Sequence, residues 1–301
     1  MKIIGIDIGG TAVKYGLLSE KGEILNSGEF PTEGKKGVDN LFVNICKVID
    51  KYLEKDIIGI AVSGTGQIDG RIGKVVGGNP IIPGWIGTNL VEKLEKKYNL
   101  PAVLENDVNC AALGEKWLGA GKDAKDFICL TIGTGIGGGI ILNGEIFRGN
   151  TCVAAEFGHI QVAKDGIECM CGKKGCYERY ASTTALVNMV KEKTGKDLNG
   201  KEIFELEKSG NTEVKEIVDT WIDYLTDGLS TLTYIFNMSL IVLGGGVTKQ
   251  GDYLLNRIKK SLDKKLGENY KKDLDVRFAE LGNNAGMLGA EYLLLKKLGK
   301  L

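Results

Sequence analysis

The sequence predicts a mixed α/β protein made of two similar domains, and three observations support that fold class. Short runs of branched apolar residues alternate with longer segments of helical periodicity, as in proteins whose helices cover a sheet. Residues 3–18 and 127–142 both read as two strands joined by a glycine-rich turn, so the second half of the chain repeats the opening of the first. A length of 301 residues suits two domains. Two such domains facing each other leave a cleft, which is a usual place for a ligand.

The first half is predicted to run strand, strand, strand, helix, strand, helix, strand, helix, and a similar unit follows. The first helix is well marked, because apolar residues from Val38 to Leu53 recur at helical spacing and form one face. Ile57–Val62 is rich in branched residues, which fits a buried parallel strand. The glycine-rich stretch Ser63–Gly84 is predicted as a loop, and a helix is predicted from Gly244–Gly246 to about Leu266.

These elements divide the chain into two predicted domains. The first comprises residues 1–117 and is joined by a C-terminal helix over 285–301. The second comprises residues 118–284 and carries a cysteine-containing loop over 156–178.

Composition excludes several function classes. Lys plus Arg equals Asp plus Glu at 39 each, so the chain has no overall basic field for nucleic acid or an anionic membrane. The longest uncharged stretch, Phe127–Leu142, is rich in glycine and shorter than the ~20 apolar residues of a spanning helix. The N-terminus has no signal-peptide pattern. We therefore expect a cytoplasmic protein that binds neither nucleic acid nor membrane.

Asp7-Ile8-Gly9-Gly10-Thr11 ends the first predicted strand and is the first candidate for binding phosphate. Glycines let backbone N–H groups surround an anion, Asp7 can hold Mg²⁺ directly or through water, and Thr11 can donate to a phosphate oxygen. Short glycine motifs also occur by chance, and a hairpin turn beside a charged residue explains the segment equally well. The candidate ATP and Mg²⁺ residues here are Asp7, Gly9, Gly10, Thr11 and Lys14.

A second glycine-threonine turn, within Thr131–Gly139, lies at the equivalent point of the second half. Two such turns at matching positions are hard to attribute to chance, and together they fit the binding of a polyphosphate. Gly244–Gly246 is a third candidate, because a turn between a strand and a helix can receive adenosine and its phosphates. The candidate ATP residues here are Thr134, Gly135, Gly137, Gly245 and Gly246. Neither the P-loop motif nor the protein-kinase motifs occur.

Residues 159–176 contain a candidate metal site. His159, the only histidine, precedes three clustered cysteines, Cys169, Cys171 and Cys176, and one His with three Cys forms a closed tetrahedral zinc set. A single His or isolated cysteines would more often be ordinary structure, but four ligands this close together are difficult to explain in that way. Because the set leaves no open coordination position, we predict structural zinc. The remaining cysteines are predicted core residues: Cys46, Cys110, Cys129 and Cys152.

Glu105-Asn106-Asp107 follows a predicted buried strand and precedes a helix. A carboxylate at that point suits the base of a phosphoryl transfer, which orients the attacking hydroxyl and accepts its proton. An Asp in this position is also a common helix N-cap. The residues alone leave both roles open.

With these motifs, the whole chain resembles the ROK family (repressors, open reading frames and kinases) within the actin-like ATPase superfamily of sugar kinases. The match includes Glu105-Asn106-Asp107 and the complete H-x9-C-x-C-G-x2-G-C-x-E pattern from His159 to Glu178. The resemblance implies two actin-like, ribonuclease H-like domains that bind ATP, Mg²⁺ and structural Zn²⁺. It implies Asp107 as catalytic base and sugar contact, Asn106 on a sugar hydroxyl, and Glu156, His159 and Glu178 as further sugar contacts. It implies further sugar contacts at Gly66, Gln67 and Asn79, which plain loop structure would also explain.

The resemblance implies ATP-dependent phosphorylation of a hexose, with glucose 6-phosphate from glucose as the expected reaction. N-acetylmannosamine, N-acetylglucosamine and β-glucosides are alternative substrates, and Ser63–Gly66 departs from many glucokinases, which carry a proline there. An inactive sugar sensor is the alternative without catalysis. A repressor is not expected, since the first hairpin starts at residue 3 without a preceding DNA-binding segment. A homodimer, or a tetramer, is the oligomer that the resemblance implies.

Overall fold

The computed structural model describes residues 1–78 and 82–301, and the chain divides into two compact units. The first unit consists of Met1–Asp123, Gly144–Ala154 and Asn283–Leu301. The second consists of Ala124–Asn143 and Ala155–Gly282.

Strands and helices alternate along both units, which confirms the mixed α/β class. The elements in chain order are β1 Lys2–Ile8, β2 Ala12–Ser19, β3 Ile24–Pro31, α1 Gly37–Tyr52, β4 Ile57–Gly64, β5 Gln67–Asp69, β6 Lys74–Gly77, α2 Leu90–Tyr98, β7 Ala102–Asn106, α3 Asp107–Leu118, β8 Phe127–Ile132, β9 Ile136–Leu142, β10 Glu145–Ile146, α4 Glu178–Ala181, α5 Thr183–Thr194, α6 Gly200–Lys208, α7 Thr212–Phe236, β11 Leu240–Gly244, α8 Asp252–Lys265, α9 Glu268–Lys271, β12 Asp275–Phe278 and α10 Ala285–Lys297. Short 3-10 turns occur at Gly34–Lys36, Phe157–His159, Gly246–Gln250 and Gly282–Asn284.

The sheet of the first unit has the order β3-β2-β1-β4-β7. β1 pairs antiparallel with β2 and parallel with β4, and β4 pairs parallel with β7. In this register Asp7 lies opposite both Lys14 and Ser63, and Ser63 lies opposite Glu105. The carboxyl ends of three parallel strands therefore meet at one edge of the sheet.

Apolar faces of helices bury this sheet on both sides. Residues of β1 such as Ile6 pack with Ile45 and Ile49 of α1 in one core cluster. On the other side, α10 packs closely against α3, since a Cβ on Gly289 would lie only 1.7 Å from the carbonyl oxygen of Cys110. This approach of two helix backbones requires glycine and fixes the helix that begins at Asp107.

In the second unit the strands run β9-β8-β11-β12. β9 pairs antiparallel with β8, and β11 lies parallel to both β8 and β12. The long helix α7 supplies much of the core, with Trp221 and Leu225 completely buried. Trp221 also donates from Nε1 to the carbonyl oxygen of Ser182 at 3.0 Å, which ties α7 to the start of α5.

Two predicted segments differ in the structure. The predicted loop over 63–84 contains the hairpin β5–β6, because Ile68 and Val75 are fully buried and give this short stretch an apolar side. The predicted continuous helix after Gly244–Gly246 is a 3-10 turn followed by α8, which begins at Asp252 after Gly251 with a φ of 59°. No helix among the described residues combines the length and apolar character needed to cross a bilayer.

Candidate functional site

Asp7 is the next-to-last residue of β1, the central strand of the first unit's sheet. Its Oδ1 accepts a hydrogen bond from Ser63 Oγ at 2.7 Å. Burial raises the pKa of the Asp7 carboxyl group above its usual range, although the Ser63 bond and the charge of Lys14 act in the opposite direction. Gly286 of α10 approaches so closely that a Cβ there would lie 3.0 Å from Asp7 Oδ1. A carboxylate held in this way is suited to bind a hard cation such as Mg²⁺.

The turn after Asp7 is stabilised by hydrogen bonds to the carbonyl groups of its residues. Thr32 donates its N–H to the carbonyl oxygen of Thr11 at 2.9 Å and its Oγ1 to that of Gly9 at 2.6 Å. The N–H of Gly9 donates to Ala12 at 3.1 Å. Gly10 and Thr11 are exposed, so the predicted phosphate residues of this turn are accessible to a ligand.

Asn106, and not Asp107, caps helix α3. Asn106 Oδ1 accepts from the N–H groups of Val108 at 2.9 Å and Asn109 at 3.0 Å. Its Nδ2 donates to the carbonyl oxygen of Gly66 and to Asp107 Oδ1, both at 2.9 Å. An amide side chain offers two donors and two acceptor positions, so all four are engaged here. A sugar hydroxyl can bind Asn106 only by replacing one of these partners.

Asp107 opens α3 directly after β7, and its half-buried carboxyl group lies within electrostatic reach of Asp7. Burial raises the pKa of Asp107 to about 6, and the negative charge of Asp7 is the second cause of this rise. Hydrogen bonds from Val108 and Asn106 limit that rise. A carboxyl group with a pKa near 6 is well matched to accept a proton at neutral pH.

Of the remaining predicted sugar contacts in the first unit, Gly66 contacts Asn106. Gly66 has a φ of 100°, which favours glycine, and its carbonyl oxygen accepts from Asn106. Gln67 begins β5, and its Oε1 lies over Gly77, where a Cβ would come within 2.4 Å. Asn79 lies outside the described residues.

In the second unit, the predicted phosphate turn between β8 and β9 lies beside the Gly244–Gly246 turn. Gly244 pairs with Thr131 of β8. Gly245 has a φ of 98°, and a Cβ there would lie 2.1 Å from the carbonyl oxygen of Ile132. Position 245 therefore requires glycine. Gly245 and Gly246 lie at one end of the sheet, and the residues of the predicted phosphate turn lie at the same end: Thr134, Gly135 and Gly137.

A cavity of about 650 Å³ opens beside these two turns, bounded by Gly133, Thr134 and Gly246. Cavities of roughly 300–1,000 Å³ hold small ligands and cofactors. The other side of this cavity was not predicted from sequence, because its residues at the start of α5, before α6 and within α6 belong to no recognisable motif. The missed lining residues are Thr183, Thr184, Val187, Asp197, Leu198, Asn199, Gly200 and Glu202.

The predicted metal ligands come together. One ligand atom each from His159, Cys169, Cys171 and Cys176 lies within 4.8 Å of the others. Cys171 Sγ lies 3.5 Å from Cys176 Sγ, and His159 Nδ1 lies 3.8 Å from Cys169 Sγ. Tetrahedral zinc with bonds of about 2.0–2.3 Å separates its ligand atoms by roughly 3.5–3.8 Å. The donor set and its spacing therefore fit Zn²⁺, with Nδ1 as the histidine ligand atom.

Glu178 lies between this metal set and the phosphate turn. Its Oε1 is 3.1 Å from Cys169 Sγ, and a Cβ on Gly135 would come within 2.4 Å of its Oε2. Glu156 is exposed and immediately precedes the short 3-10 turn that ends at His159. Two carboxylates thus flank the metal-binding segment, and carboxylates can each accept from neighbouring hydroxyl groups.

Tyr177 anchors the segment between Cys176 and Glu178. The ring is completely buried, and its hydroxyl donates to the carbonyl oxygen of Leu225 at 2.6 Å. Gly228 of α7 leaves space for the ring, since a Cβ there would lie 2.2 Å from it. The last metal ligand and Glu178 are therefore fixed to the core of the second unit.

Comparison with known proteins gives a match over nearly the whole chain. The sequence profile of the ROK family matches residues 3–297. A glucokinase of Halalkalibacterium halodurans is 35% identical over 312 residues, which cover 97% of this chain and 94% of the relative. A β-glucoside kinase of Listeria monocytogenes is 35% identical over 302 residues, which cover 99% and 98%. A solved ROK family glucokinase from Streptomyces griseus, in complex with glucose and AMPPNP, is 34% identical with a TM-score of 0.82, covering 97% of this chain and 99% of that one.

Proposed function

The chain belongs to the ROK family of sugar kinases, and we propose that it transfers the γ-phosphoryl group of ATP to the 6-hydroxyl of glucose. The observation that carries this proposal is Asp107, which directly follows β7 and whose carboxyl group has a pKa of about 6, raised by burial and by the charge of Asp7. Such a group can accept the hydroxyl proton as the sugar oxygen attacks phosphorus and ADP leaves.

We assign the first unit's groups to Mg²⁺, phosphate and the reacting hydroxyl. Asp7 holds Mg²⁺ directly or through water, with Lys14 opposite it on β2. Gly9, Gly10 and Thr11 offer donors to phosphate oxygens. Asn106 orients the Asp107 carboxylate and contacts a sugar hydroxyl by exchanging one of its present partners.

We assign the second unit's cavity of about 650 Å³ to the nucleotide, because it joins the phosphate turn to the Gly244–Gly246 turn. Thr134, Gly135 and Gly137 face the phosphates in this proposal. Gly245 and Gly246 contact the adenosine part of ATP in this proposal. The complex of the Streptomyces griseus relative with AMPPNP supports a nucleotide of this class.

We assign Glu156, His159 and Glu178 to the sugar hydroxyl groups. His159 Nδ1 faces the metal set, which leaves Nε2 as the ring atom for a hydroxyl. Zn²⁺, bound by His159 and the three cysteines, would be structural, because four protein ligands complete a tetrahedral site. Gly66, Gln67 and Asn79 complete the proposed sugar-binding set, and a homodimer or tetramer remains a prediction from the family.

A β-glucoside is the second candidate substrate, because the Listeria monocytogenes β-glucoside kinase is as similar to this chain as the glucokinase is, at 35% identity. N-acetylated hexoses offer many of the same hydroxyl groups and stay open for that reason. An inactive sensor is disfavoured by the combination of Asp7, Asp107 and both glycine turns. Each alternative changes the sugar or removes turnover, but none changes the proposed role of the binding groups.

Replacing Asp107 with Asn tests the proposed base. A positioned general base contributes roughly 10²–10⁴-fold, so kcat should fall by that factor while the Kd values for sugar and ATP stay within a few-fold. The measurement is coupled ADP release together with calorimetric binding. Asp126→Asn, in the second unit, is a control that should retain kcat. Turnover of Asp107→Asn within threefold of the unmodified protein would reject Asp107 as the base.

A further inference from the structure

Glu105 is a completely buried carboxylate at the end of β7, directly before Asn106 and Asp107. Its Oε1 accepts from the N–H of Asn106 and from Nδ2 of Asn109, both at 3.0 Å. Its Oε2 accepts from Nε of Arg148 at 2.6 Å. A carboxylate withdrawn from water is stable when its oxygens are paired in this way.

The bonds of Glu105 lead to Asp107 by two routes. The bond to the Asn106 N–H fixes the backbone of the residue before Asp107. The bond to Asn109 fixes the first turn of α3, whose N–H groups bind Asn106 Oδ1. Asn106 Nδ2 then donates to Asp107 Oδ1 at 2.9 Å. The direction of the Asp107 carboxylate therefore depends on where Glu105 lies.

Arg148 is the cationic partner of Glu105 among the described residues. It follows β10, and its side chain is 24% exposed. Gly70, between β5 and β6, closes over the pair, since a Cβ there would lie 2.3 Å from Glu105 Oε2 and 3.2 Å from Arg148 Nε. The ion pair is thus enclosed between the end of β7, the turn after β5 and the segment that follows β10.

We propose that Arg148 is a positioning residue for the phosphoryl transfer, acting through Glu105 on Asn106 and Asp107. This inference rests on the proposed function. Without the guanidinium group, the buried carboxylate has to bind a proton or admit water, and either change weakens its bonds to Asn106 and Asn109. Misplacement of a reacting group by about 1 Å can lower a rate on the order of 10²-fold.

The chain contains a matched control for this test. Arg257 of α8 pairs with the buried Glu207 at 2.7 Å, with side-chain exposures of 21% and 1%. The Arg148–Glu105 pair has exposures of 24% and 0% at 2.6 Å. Replacing either arginine with Met leaves a buried glutamate without its cation, but only Arg148 is linked to Asp107. Both variants should lose thermal stability to a similar extent.

The experiment compares Arg148→Met with Arg257→Met by coupled ADP release at a temperature where both are folded. We expect kcat of Arg148→Met to be at least tenfold below that of Arg257→Met, with KM for ATP within threefold. Adding Glu105→Gln to Arg148→Met removes the uncompensated charge and keeps an amide oxygen for Asn106 and Asn109. The double variant should recover at least threefold in kcat.

Equal kcat values for the two Met variants, or no recovery in the double variant, would overturn the inference. If Arg148→Met does not fold, the comparison is made between Arg148→Lys and Arg257→Lys. We expect kcat of Arg148→Lys to be at least threefold below that of Arg257→Lys, and equal kcat values would contradict the inference. The unmodified protein and Arg257→Met report separately on the proposed function. If neither the unmodified protein nor Arg257→Met turns over any of the candidate sugars, the proposed function is rejected, and this inference is rejected with it.

Discussion

Asp107 has a pKa of about 6, raised by burial and then by the charge of Asp7, and this predicts the pH dependence of the enzyme. A base must be deprotonated, so protonation below about pH 6 removes activity, whereas activity above that pH is constant. We expect kcat/KM for the sugar to fall about tenfold per pH unit below the pKa, since kcat/KM reports the enzyme form that has not yet bound the sugar.

Zinc loss at low pH is the main alternative cause of such a decline, because protons compete for cysteine and histidine ligands. Bound zinc should therefore be measured at each pH, and activity should return when the sample is brought back to neutral pH. A flat profile down to about pH 5, in protein that retains zinc, would contradict the assignment of Asp107.

Glu291 of α10 predicts a pH effect on stability. Its side chain is completely buried, and neither carboxyl oxygen accepts a hydrogen bond of normal geometry from the described residues. Burial raises the pKa of Glu291 from 4.5 to about 8, although the backbone of Gly22 acts weakly in the opposite direction. Between these values the folded state holds a proton that the unfolded state has released, so the stability of the unmodified protein falls as pH rises from about 4.5 to 8.

Glu291→Gln removes this proton linkage. We expect the difference in Tm between Glu291→Gln and the unmodified protein to increase from pH 5 to pH 8 and then to level off. Each kcal/mol of difference in the free energy of unfolding should correspond to roughly 2–4 °C in Tm. Differential scanning calorimetry at several pH values measures the difference. A Tm difference that stays constant across this range would show that Glu291 does not carry a raised pKa.

Some residues of the site were predictable from sequence because their chemistry is concentrated in short motifs. His159 and the three cysteines are close in sequence, so their meeting was predictable from spacing, and their arrangement confirms it. The Arg148–Glu105 pair was not predictable, since its members are 43 positions apart and nothing in the pattern connects them. Asn106 as the cap of α3 was also not distinguishable from Asp107, because both residue types cap helices.

At the scale of elements, the metal-binding segment between β10 and α4 has little regular structure of its own. Phe157 is buried in the core, but Met170 is 84% exposed and Ile167 is 45% exposed, so the stretch that carries the three cysteines has few apolar contacts to hold it. We expect Cys171→Ala, or removal of zinc with a chelator, to abolish sugar binding because Glu156 and His159 lose their fixed positions. Far-UV circular dichroism should change little, because the helices lie outside the segment.

Cys46→Ala is the control for this experiment, since Cys46 is a buried core residue of α1. It should retain zinc, measured by atomic absorption, and sugar affinity, measured by calorimetry. A zinc-free protein with full activity would refute the structural role of the metal.

Most element positions were predictable because long periodic segments such as α1 and α7 leave few alternatives. The hairpin β5–β6 was not, because each strand has only a single strongly buried apolar residue, Ile68 or Val75, within a glycine-rich stretch. The break before α8 depends on the positive φ of Gly251, which a periodic pattern does not reveal.

For the whole molecule, the family and the mixed α/β class were predictable because each half of the chain has its glycine turn and the second half has the complete cysteine pattern. Both predictions are confirmed. The sugar was not predictable. Hexoses and their N-acetyl or β-glucoside relatives share most hydroxyl groups, so preference depends on the volume beside one or two carbons, and residues 79–81 of the proposed sugar loop lie outside the described structure.

The most direct test is ADP release by the zinc-loaded protein with Mg²⁺-ATP against glucose, mannose, fructose, N-acetylglucosamine, N-acetylmannosamine and a β-glucoside. We expect turnover with glucose, and a higher kcat/KM for glucose than for every other sugar. Preference for an N-acetylated sugar or for the β-glucoside would contradict glucose as substrate and leave the proposed phosphoryl transfer in place. Absence of turnover with all six sugars would contradict the proposed kinase activity itself.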